Sequence, residues 1–179
     1  MHPDHERLPS FTSDQSSPED WALRARMFMD KGEYSLAEHC FRNADLWWDC
    51  NIANAYRLRE DADTLDRWKC AAEAFEHCAN DPIGKISPKY NELIFAAAGC
   101  YSRARELRRS GQLYGLAQDF GRSAEQFCNG NFMEDAYRVT LTHRAQVSQR
   151  VFERVCLYFF SLHQVEYVTM NFIILAIYV

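Results

Sequence analysis

Residues 21–44 read WALRARMFMDKGEYSLAEHCFRNA, and this stretch decides the fold of the chain. Large and small side chains alternate in it at helical spacing: Trp21, Phe28, Tyr34 and Phe41 are large, and Ala25, Gly32, Ala37 and Ala44 are small. Two helices that pack face to face need this alternation, because a bulky side chain on one must fit beside a small one on the other. Gly32 separates the two runs, where a turn with positive φ costs least. The stretch predicts a packed helix pair and contains no catalytic motif.

The sequence also predicts where the first helix starts. Ser17 can cap the helix, Pro18 suits its first position, and Glu19 and Asp20 complement the positive end of the helix dipole. Residues 1–16 are polar and rich in Pro, Ser and Asp, so they bury too little surface to offset the entropy of ordering. We therefore predict a disordered segment over residues 1–16 and a helical repeat domain over residues 17–150.

A second, degenerate repeat is predicted over residues 46–79. A shift of about 34 residues, one repeat length, places Ala71, Phe75 and Cys78 on the pattern of the second helix. The first helix of this unit lacks the expected aromatic residue, and Tyr56 can supply it in a slipped register.

A third part of the chain is predicted to be a loop followed by a long helix. Residues 80–86 form the loop, and Ser87-Pro88 repeats the start signal of Ser17-Pro18. Apolar residues then continue at helical spacing to Leu107, and the cations before Gly111 are typical of a helix end. This helix would have about six turns. The alternative is a break near Gly99, which would give a compressed helix pair.

A last repeat echo lies at Phe120, Ala124, Phe127, Met133 and Ala136, with a turn at Asn129-Gly130-Asn131. Helices are expected to about Arg150. Residues 151–179 are crowded with aromatic and β-branched side chains and follow no repeat spacing. Capping helices, an interface or membrane-contacting tail, and a truncated or misread end all remain open for this segment. Its final uncharged run is too short for the ~20 apolar residues of a membrane-spanning helix.

Composition excludes some function classes. The net charge is −5 and the pI is near 5.7, so direct nucleic-acid binding is not expected, because phosphates require a basic surface. The seven cysteines are odd in number and lack CxxC spacing, which favours reduced, buried thiols in an intracellular protein. The first residues contain no apolar signal segment. We predict a cytoplasmic or nuclear location.

Few residues carry possible chemistry. His39-Cys40 and His77-Cys78 lack the spacing of zinc ligands, and we interpret each as a surface His beside a core Cys. Gly84-Lys85 lacks the first glycine of a phosphate-binding loop. The basic stretch over residues 103–109 could bind an acidic peptide or a phosphate, or it could be a solvated helix end. The acidic residues of 61–66 lack the glycine and terminal Glu of a calcium loop.

The spacing of residues 21–44 resembles the tetratricopeptide (TPR) repeat family. The resemblance covers about two thirds of the chain, clearly in the first unit and weakly afterwards. The phrase NIANAYRLREDA at residues 51–62 also resembles the repeat segment of large TPR- and ankyrin-repeat proteins that carry a UvrD-type superfamily 1 helicase core. No ATPase motif is present here, so that activity is not transferred. Some TPR proteins clamp a terminal carboxylate. The groove-facing positions here hold one cation among three carboxylates, which makes a clamp improbable.

Together these patterns predict an all-α fold, a short TPR-like solenoid of antiparallel helix pairs with three to four units and seven or eight helices. We predict a non-catalytic scaffold that binds a protein or peptide, with no cofactor and no metal. Arg26, Met29 and Tyr56 are the candidate contact residues. The alternative is a docking or regulatory fragment of a UvrD-like helicase or ATPase that lacks the ATPase core. A third hypothesis, an enzyme that uses Cys and His, has no local support.

Overall fold

The computed structural model describes residues 17–161, and its regular structure there is entirely helical. The prediction of an all-α fold is confirmed for these residues, although the number of helices is higher than predicted. Ten α-helices and one 3-10 turn (Arg144–Gln146) follow one another within this range. The helices are α1 (Pro18–Asp30), α2 (Tyr34–Asn43), α3 (Trp47–Glu60), α4 (Leu65–Asn80), α5 (Pro82–Ile86), α6 (Tyr90–Arg103), α7 (Leu107–Leu116), α8 (Phe120–Asn129), α9 (Met133–Thr142) and α10 (Gln149–Ser161).

Over its described residues the chain divides into two compact units, with the boundary between Ala53 and Asn54. The predicted disordered segment over residues 1–16 lies outside the described residues. The first unit is therefore described over residues 17–53 and the second over residues 54–161, and α3 begins in one and ends in the other.

The first unit contains the helix pair predicted from residues 21–44. At its start, the Asp20 N–H donates to Ser17 Oγ at 3.2 Å, and the Ser17 N–H donates back to Asp20 Oδ2 at 3.1 Å. These reciprocal bonds satisfy two backbone donors that a helix start leaves unpaired. Gly32 adopts φ +78° in the turn, as predicted. The core of the pair lies between α1 and α2 and contains Ala25, Ala37, Cys40 and Phe41, with Trp21, Phe28 and Met29 packed against it.

The second predicted repeat corresponds to α3 and α4. Ala71, Phe75 and Cys78 are all buried, as their repeat positions predict. The ring of Tyr56 meets the ring of Phe75 edge-on, with 5.0 Å between the centroids. Tyr56 of α3 therefore packs on the buried Phe75 of α4, and its slipped repeat register stays a prediction.

The predicted loop over residues 80–86 is wrong in part, because α5 lies within it. The Asp81 carboxylate accepts a hydrogen bond from the Ile83 N–H at 2.8 Å. Pro82 has no backbone N–H, so the first position of the helix leaves no donor unpaired. Asp81-Pro82 is therefore a helix start of the same kind as Ser17-Pro18. Gly84 is buried, and a Cβ atom there would lie 2.0 Å from the carbonyl oxygen of Cys78. Close packing requires this glycine, and no phosphate-binding loop is needed to explain it.

The predicted long helix is also wrong. It begins at Tyr90, after a turn in which Ser87 Oγ accepts from the Lys89 N–H at 3.1 Å, and it ends at Arg103. The break lies at Arg105, which adopts φ +62°, and Gly99 stays inside α6. Gly111 does not end a helix. It is buried within α7, where an added Cβ would lie 2.8 Å from the ring of Phe127.

A shorter period than the expected repeat runs through the turns of the second unit. Arg105, Gln118 and Asn131 follow at intervals of 13 residues, and each adopts φ +62°. The residue after each of them donates its backbone N–H to the carbonyl of an aromatic residue five positions before the donor. The three acceptors are Tyr101, Tyr114 and Phe127. This bond closes the end of a helix while the left-handed residue reverses the chain. Helices α7 and α8, which lie between these turns, therefore have 10 residues each.

Buried serines connect the helices of this run. Ser110 Oγ donates to the carbonyl of Ala98, and Ser123 Oγ donates to the carbonyl of Gly111, both at 2.8 Å. Each bond joins a helix to the one before it. Helix α6 packs on α4 and α7, and α8 packs on α7 and α9.

The C-terminal apolar segment begins inside a helix. Helix α10 packs on α8 and α9 through Val151, Val155 and Phe159, which are buried. Helical structure therefore continues past Arg150 into the segment for which capping helices are one of the predicted alternatives. The rest of the segment, residues 162–179, lies outside the described residues, so the choice among a cap, a tail and a truncated end stays a prediction.

Candidate functional site

An open cleft of about 560 Å³ lies in the second unit, on one side of α6. Its lining comes from the end of α3 and the turn after it, from Trp68 of α4, and from the residues of α6 that we call its floor. Ala96 and Gly99 leave room there because their side chains are small or absent. Phe95, at 39% exposure, presents apolar surface at the cleft. The cleft is therefore an accessible depression with aromatic sides.

Arg59 lines the cleft and is held by aromatic packing. Its guanidinium carbon lies 4.7 Å from the ring centroid of Tyr56 and 5.7 Å from that of Phe75. The Tyr56 hydroxyl donates to Glu92 Oε1 at 2.6 Å. The bond to Glu92 and the edge-on contact with Phe75 fix the ring of Tyr56, and this ring in turn holds Arg59 in position.

Arg103 lines the same cleft from α6. Its guanidinium carbon lies 4.4 Å from the ring centroid of Trp68. An arginine and an aromatic ring in this arrangement attract each other through the negative face of the ring. Both cleft arginines are thus positioned by rings and not by carboxylates.

The hydrogen-bond donors of these two arginines are unused. Within residues 17–161, neither Arg59 nor Arg103 forms an ion pair or donates a side-chain hydrogen bond. Glu60 also lines the cleft, so two cations face one carboxylate there and the cleft is net positive. This local excess contrasts with the net charge of −5 of the whole chain.

Cys100 lies at the floor of the cleft and is 2% exposed. Burial raises the pKa of its thiol, and the charges of Arg59 and Arg103 act against that increase. Both guanidinium groups therefore act electrostatically on the same point of the floor. The thiol stays protonated at neutral pH, which makes it a poor nucleophile.

The structure separates the members of the basic stretch over residues 103–109. Arg108 pairs with Asp135 at 3.2 Å, and Arg109 pairs with Glu76. Glu76 also accepts a hydrogen bond from the buried Tyr101 hydroxyl at 3.0 Å, which joins α4, α6 and α7. Burial and this carboxylate raise the pKa of Tyr101 well above its usual range. Arg108 and Arg109 therefore hold the fold together, and Arg103 alone belongs to the cleft.

The three predicted contact residues are not brought together within one unit. Arg26 and Met29 lie on α1 in the first unit, and Tyr56 lies in the second. Arg26 is exposed and has no ion pair within residues 17–161, whereas Met29 is half-buried against the core of the α1–α2 pair. Tyr56 is half-buried beneath Arg59.

Sequence reasoning missed Arg59 and Trp68. Arg59 occupies a position of the second repeat where the pattern expects an aromatic residue. Trp68 lies one turn into α4, with Arg103 over its ring. An arginine that replaces an aromatic residue beside other aromatic residues is a signal for a stacked cation, and it is visible in the sequence.

The His-Cys pairs have the placement that the sequence predicts. His39 and His77 are exposed, whereas Cys40 and Cys78 are buried. Burial raises the pKa of the Cys78 thiol to about 11, and the charge of Asp81 adds to that increase. Within residues 17–161 no three His, Cys, Asp or Glu side chains group closely enough to hold a metal ion. In the same range no helix combines the length and the apolar character needed to cross a membrane.

Searches of family models, curated proteins and solved structures find no match for this chain.

Proposed function

We propose that this chain is a non-catalytic protein-interaction scaffold and that the cleft on α6 binds a segment of a partner protein. In this proposal the helices form antiparallel, TPR-like pairs stacked in series. The packing of α6 on α7, α7 on α8 and α8 on α9 supports it, because helical-repeat arrays are built from contacts between neighbours in sequence. An intracellular location, suggested by the cysteine content, belongs to the same proposal.

The observation that carries the proposal is the cleft itself. Trp68 and Phe95 present aromatic surface to it, and Ala96 and Gly99 leave space between them. Aromatic side chains dominate the binding energy of protein interfaces because they bury a large area with few rotatable bonds. A peptide side chain could enter this space without any rearrangement of the floor.

Arg26 and Met29 remain predictions for a second contact face on α1. Arg26 has the exposure that such a role needs. Met29 would have to leave part of its packing to meet a partner, so Arg26 is the stronger candidate of the two. The alternative role, a docking fragment of a helicase-like ATPase, depends on the resemblance of residues 51–62 alone.

The test is a selection of peptides from a random displayed library on the full chain. Selected peptides are then measured against Ala96→Phe, which fills the cleft, and against Ala145→Phe, which adds the same ring at an exposed alanine outside it. We expect Ala96→Phe to abolish binding and Ala145→Phe to leave it unchanged. Peptides that bind both variants equally, or a selection that yields none, would rule out the cleft as the peptide site.

A further inference from the structure

We propose that the partner segment is acidic and that Arg59 and Arg103 bind its Asp or Glu carboxylates, an inference that rests on the peptide-binding role of the cleft. The two guanidinium groups line one depression, each is stacked on an aromatic ring, and each keeps its donors free within residues 17–161. The proposal names the ligand class that this arrangement recognises.

The stacking itself prepares both groups for a carboxylate. A guanidinium group carries five N–H donors in its own plane, and a ring that lies against its face occupies none of them. A carboxylate accepts two parallel hydrogen bonds from such a fork, and these charge-assisted bonds are stronger than neutral ones. Because the rings already restrict Arg59 and Arg103, less side-chain entropy is lost when a ligand binds.

The surroundings favour a peptide over a nucleic acid. Glu60 lies in the cleft lining, and the whole chain is acidic, so a polyphosphate would meet repulsion around a small positive site. A single carboxylate flanked by apolar side chains fits better, because Phe95 and Ala96 offer apolar contact beside the cations. We therefore infer a segment in which acidic and apolar residues alternate.

Three other arginines of the second unit provide a contrast. Arg108 and Arg109 already have carboxylate partners within the chain, namely Asp135 and Glu76. Arg122 lies 3.5 Å from Asp119. Each of these three arginines has a carboxylate within reach, whereas Arg59 and Arg103 have none within residues 17–161 and keep their donors available to an anion in the cleft.

The experiment measures fluorescence anisotropy of a short fluorescein-labelled peptide of alternating glutamate and leucine, titrated with the full chain. We expect Arg59→Gln and Arg103→Gln each to weaken binding about tenfold or more, since each removes a charge-assisted hydrogen bond. Arg138→Gln, an exposed arginine outside the cleft, is the matched control and should leave the Kd unchanged. Glu60→Gln should tighten binding about twofold to fivefold, because it removes a like charge from the cleft. A misfolded variant cannot produce that gain.

Three further probes distinguish the alternatives. The same peptide with glutamine for glutamate should bind about tenfold more weakly or worse. If it binds equally well in an Ala96-dependent manner, the acidic assignment fails while the peptide-binding function stands. Tighter binding of a phosphoserine peptide or of single-stranded oligothymidine would overturn the carboxylate assignment in favour of phosphate. Failure of every probe to bind, together with an empty peptide selection, would overturn both proposals.

Discussion

In the first unit the turn between α1 and α2 is made by Gly32 at φ +78°, whereas α6 to α9 are joined by turns at Arg105, Gln118 and Asn131, each at φ +62°. The backbone conformation is the same in all four turns, since each contains one residue in the left-handed region. The chemistry differs, because glycine adopts that conformation freely and the other three residues do so at a cost. A helix pair can thus have an obvious sequence signature, whereas in the α6–α9 run only the turn at Asn131 has one.

The two regions also fill their interfaces differently. The α1–α2 pair places alanines opposite aromatic side chains. The α6–α9 run places Gly111 under the ring of Phe127 and connects neighbouring helices through buried serines. Both regions need small residues at their interfaces. In the second region these are glycine and serine, which in other contexts favour helix ends, caps and turns. The comparison teaches that position in a packed interface decides what such a residue does.

The largest expected effect concerns the aromatic residues of each region. Phe127→Ala and Phe41→Ala should each reduce the free energy of unfolding by about 3–5 kcal/mol, because both rings are buried and their loss leaves a cavity. Trp21→Ala should cost less, about half as much, because Trp21 is only partly buried. Urea titration followed by circular dichroism measures all three. A larger loss for Trp21→Ala than for Phe41→Ala would show that the prominent tryptophan, and not the phenylalanine, anchors the first pair.

Local sequence patterns predict some features of the fold and miss others. The helix start at Ser17, the turn at Gly32 and the burial of Phe75 and Cys78 follow from local patterns whose residue types have one dominant use. The break at Arg105 does not follow, because an arginine in the left-handed conformation is set by the packing of the helices on either side. The regular interval of 13 residues is visible only once the turn positions are known.

The candidate cleft was less accessible to sequence reasoning than the fold. The sequence predicts Tyr56 as a contact residue, whereas in the structure its ring packs against the guanidinium group of Arg59. Arg103 was one of four arginines in a basic stretch, and nothing local separates it from Arg108 and Arg109, whose partners are distant in sequence. Which cation stays unpaired depends on contacts of α6 and α7 with α4 and α9, which only the folded chain brings together.

The next effect tests the role of Gly111. Gly111→Ala should destabilise the chain by about 1–2 kcal/mol, because its Cβ would overlap the Phe127 ring and only part of that cost is offset by better helix propensity. Gly32→Ala should cost about 1 kcal/mol for a different reason, its positive φ, since no atom lies within 4 Å of the added Cβ.

The Phe127→Leu variant separates the steric cost at Gly111 from the cost of positive φ at Gly32. In a chain that carries Phe127→Leu, the cost of Gly111→Ala should fall, because the overlapping ring is gone, whereas the cost of Gly32→Ala should be unchanged. Urea titrations of the single and double variants provide the comparison. Strict additivity of Gly111→Ala and Phe127→Leu would contradict the packing role of Gly111.

A smaller effect is expected from the buried serines. Ser110→Ala and Ser123→Ala should each cost about 1 kcal/mol, because each removes one buried hydrogen bond between neighbouring helices. Ser35→Ala, at an exposed position of α2, is the control and should have almost no effect. Thermal unfolding monitored by circular dichroism would show the difference as a shift in Tm. No shift for either buried serine would mean that these bonds do not stabilise the α6–α9 run.

The smallest effect reverses the usual sign of a glycine substitution. Gln118→Gly should stabilise the chain by about 0.5 kcal/mol, because relief of the left-handed strain exceeds the added freedom of the unfolded chain. Gln112→Gly is the matched control: it makes the same replacement at an exposed position inside α7 and should cost about 1 kcal/mol. Urea titration of both variants tests the contrast. If both substitutions destabilise equally, the turn at Gln118 is not strained, and the difference between Gly32 and the later turns loses its energetic basis.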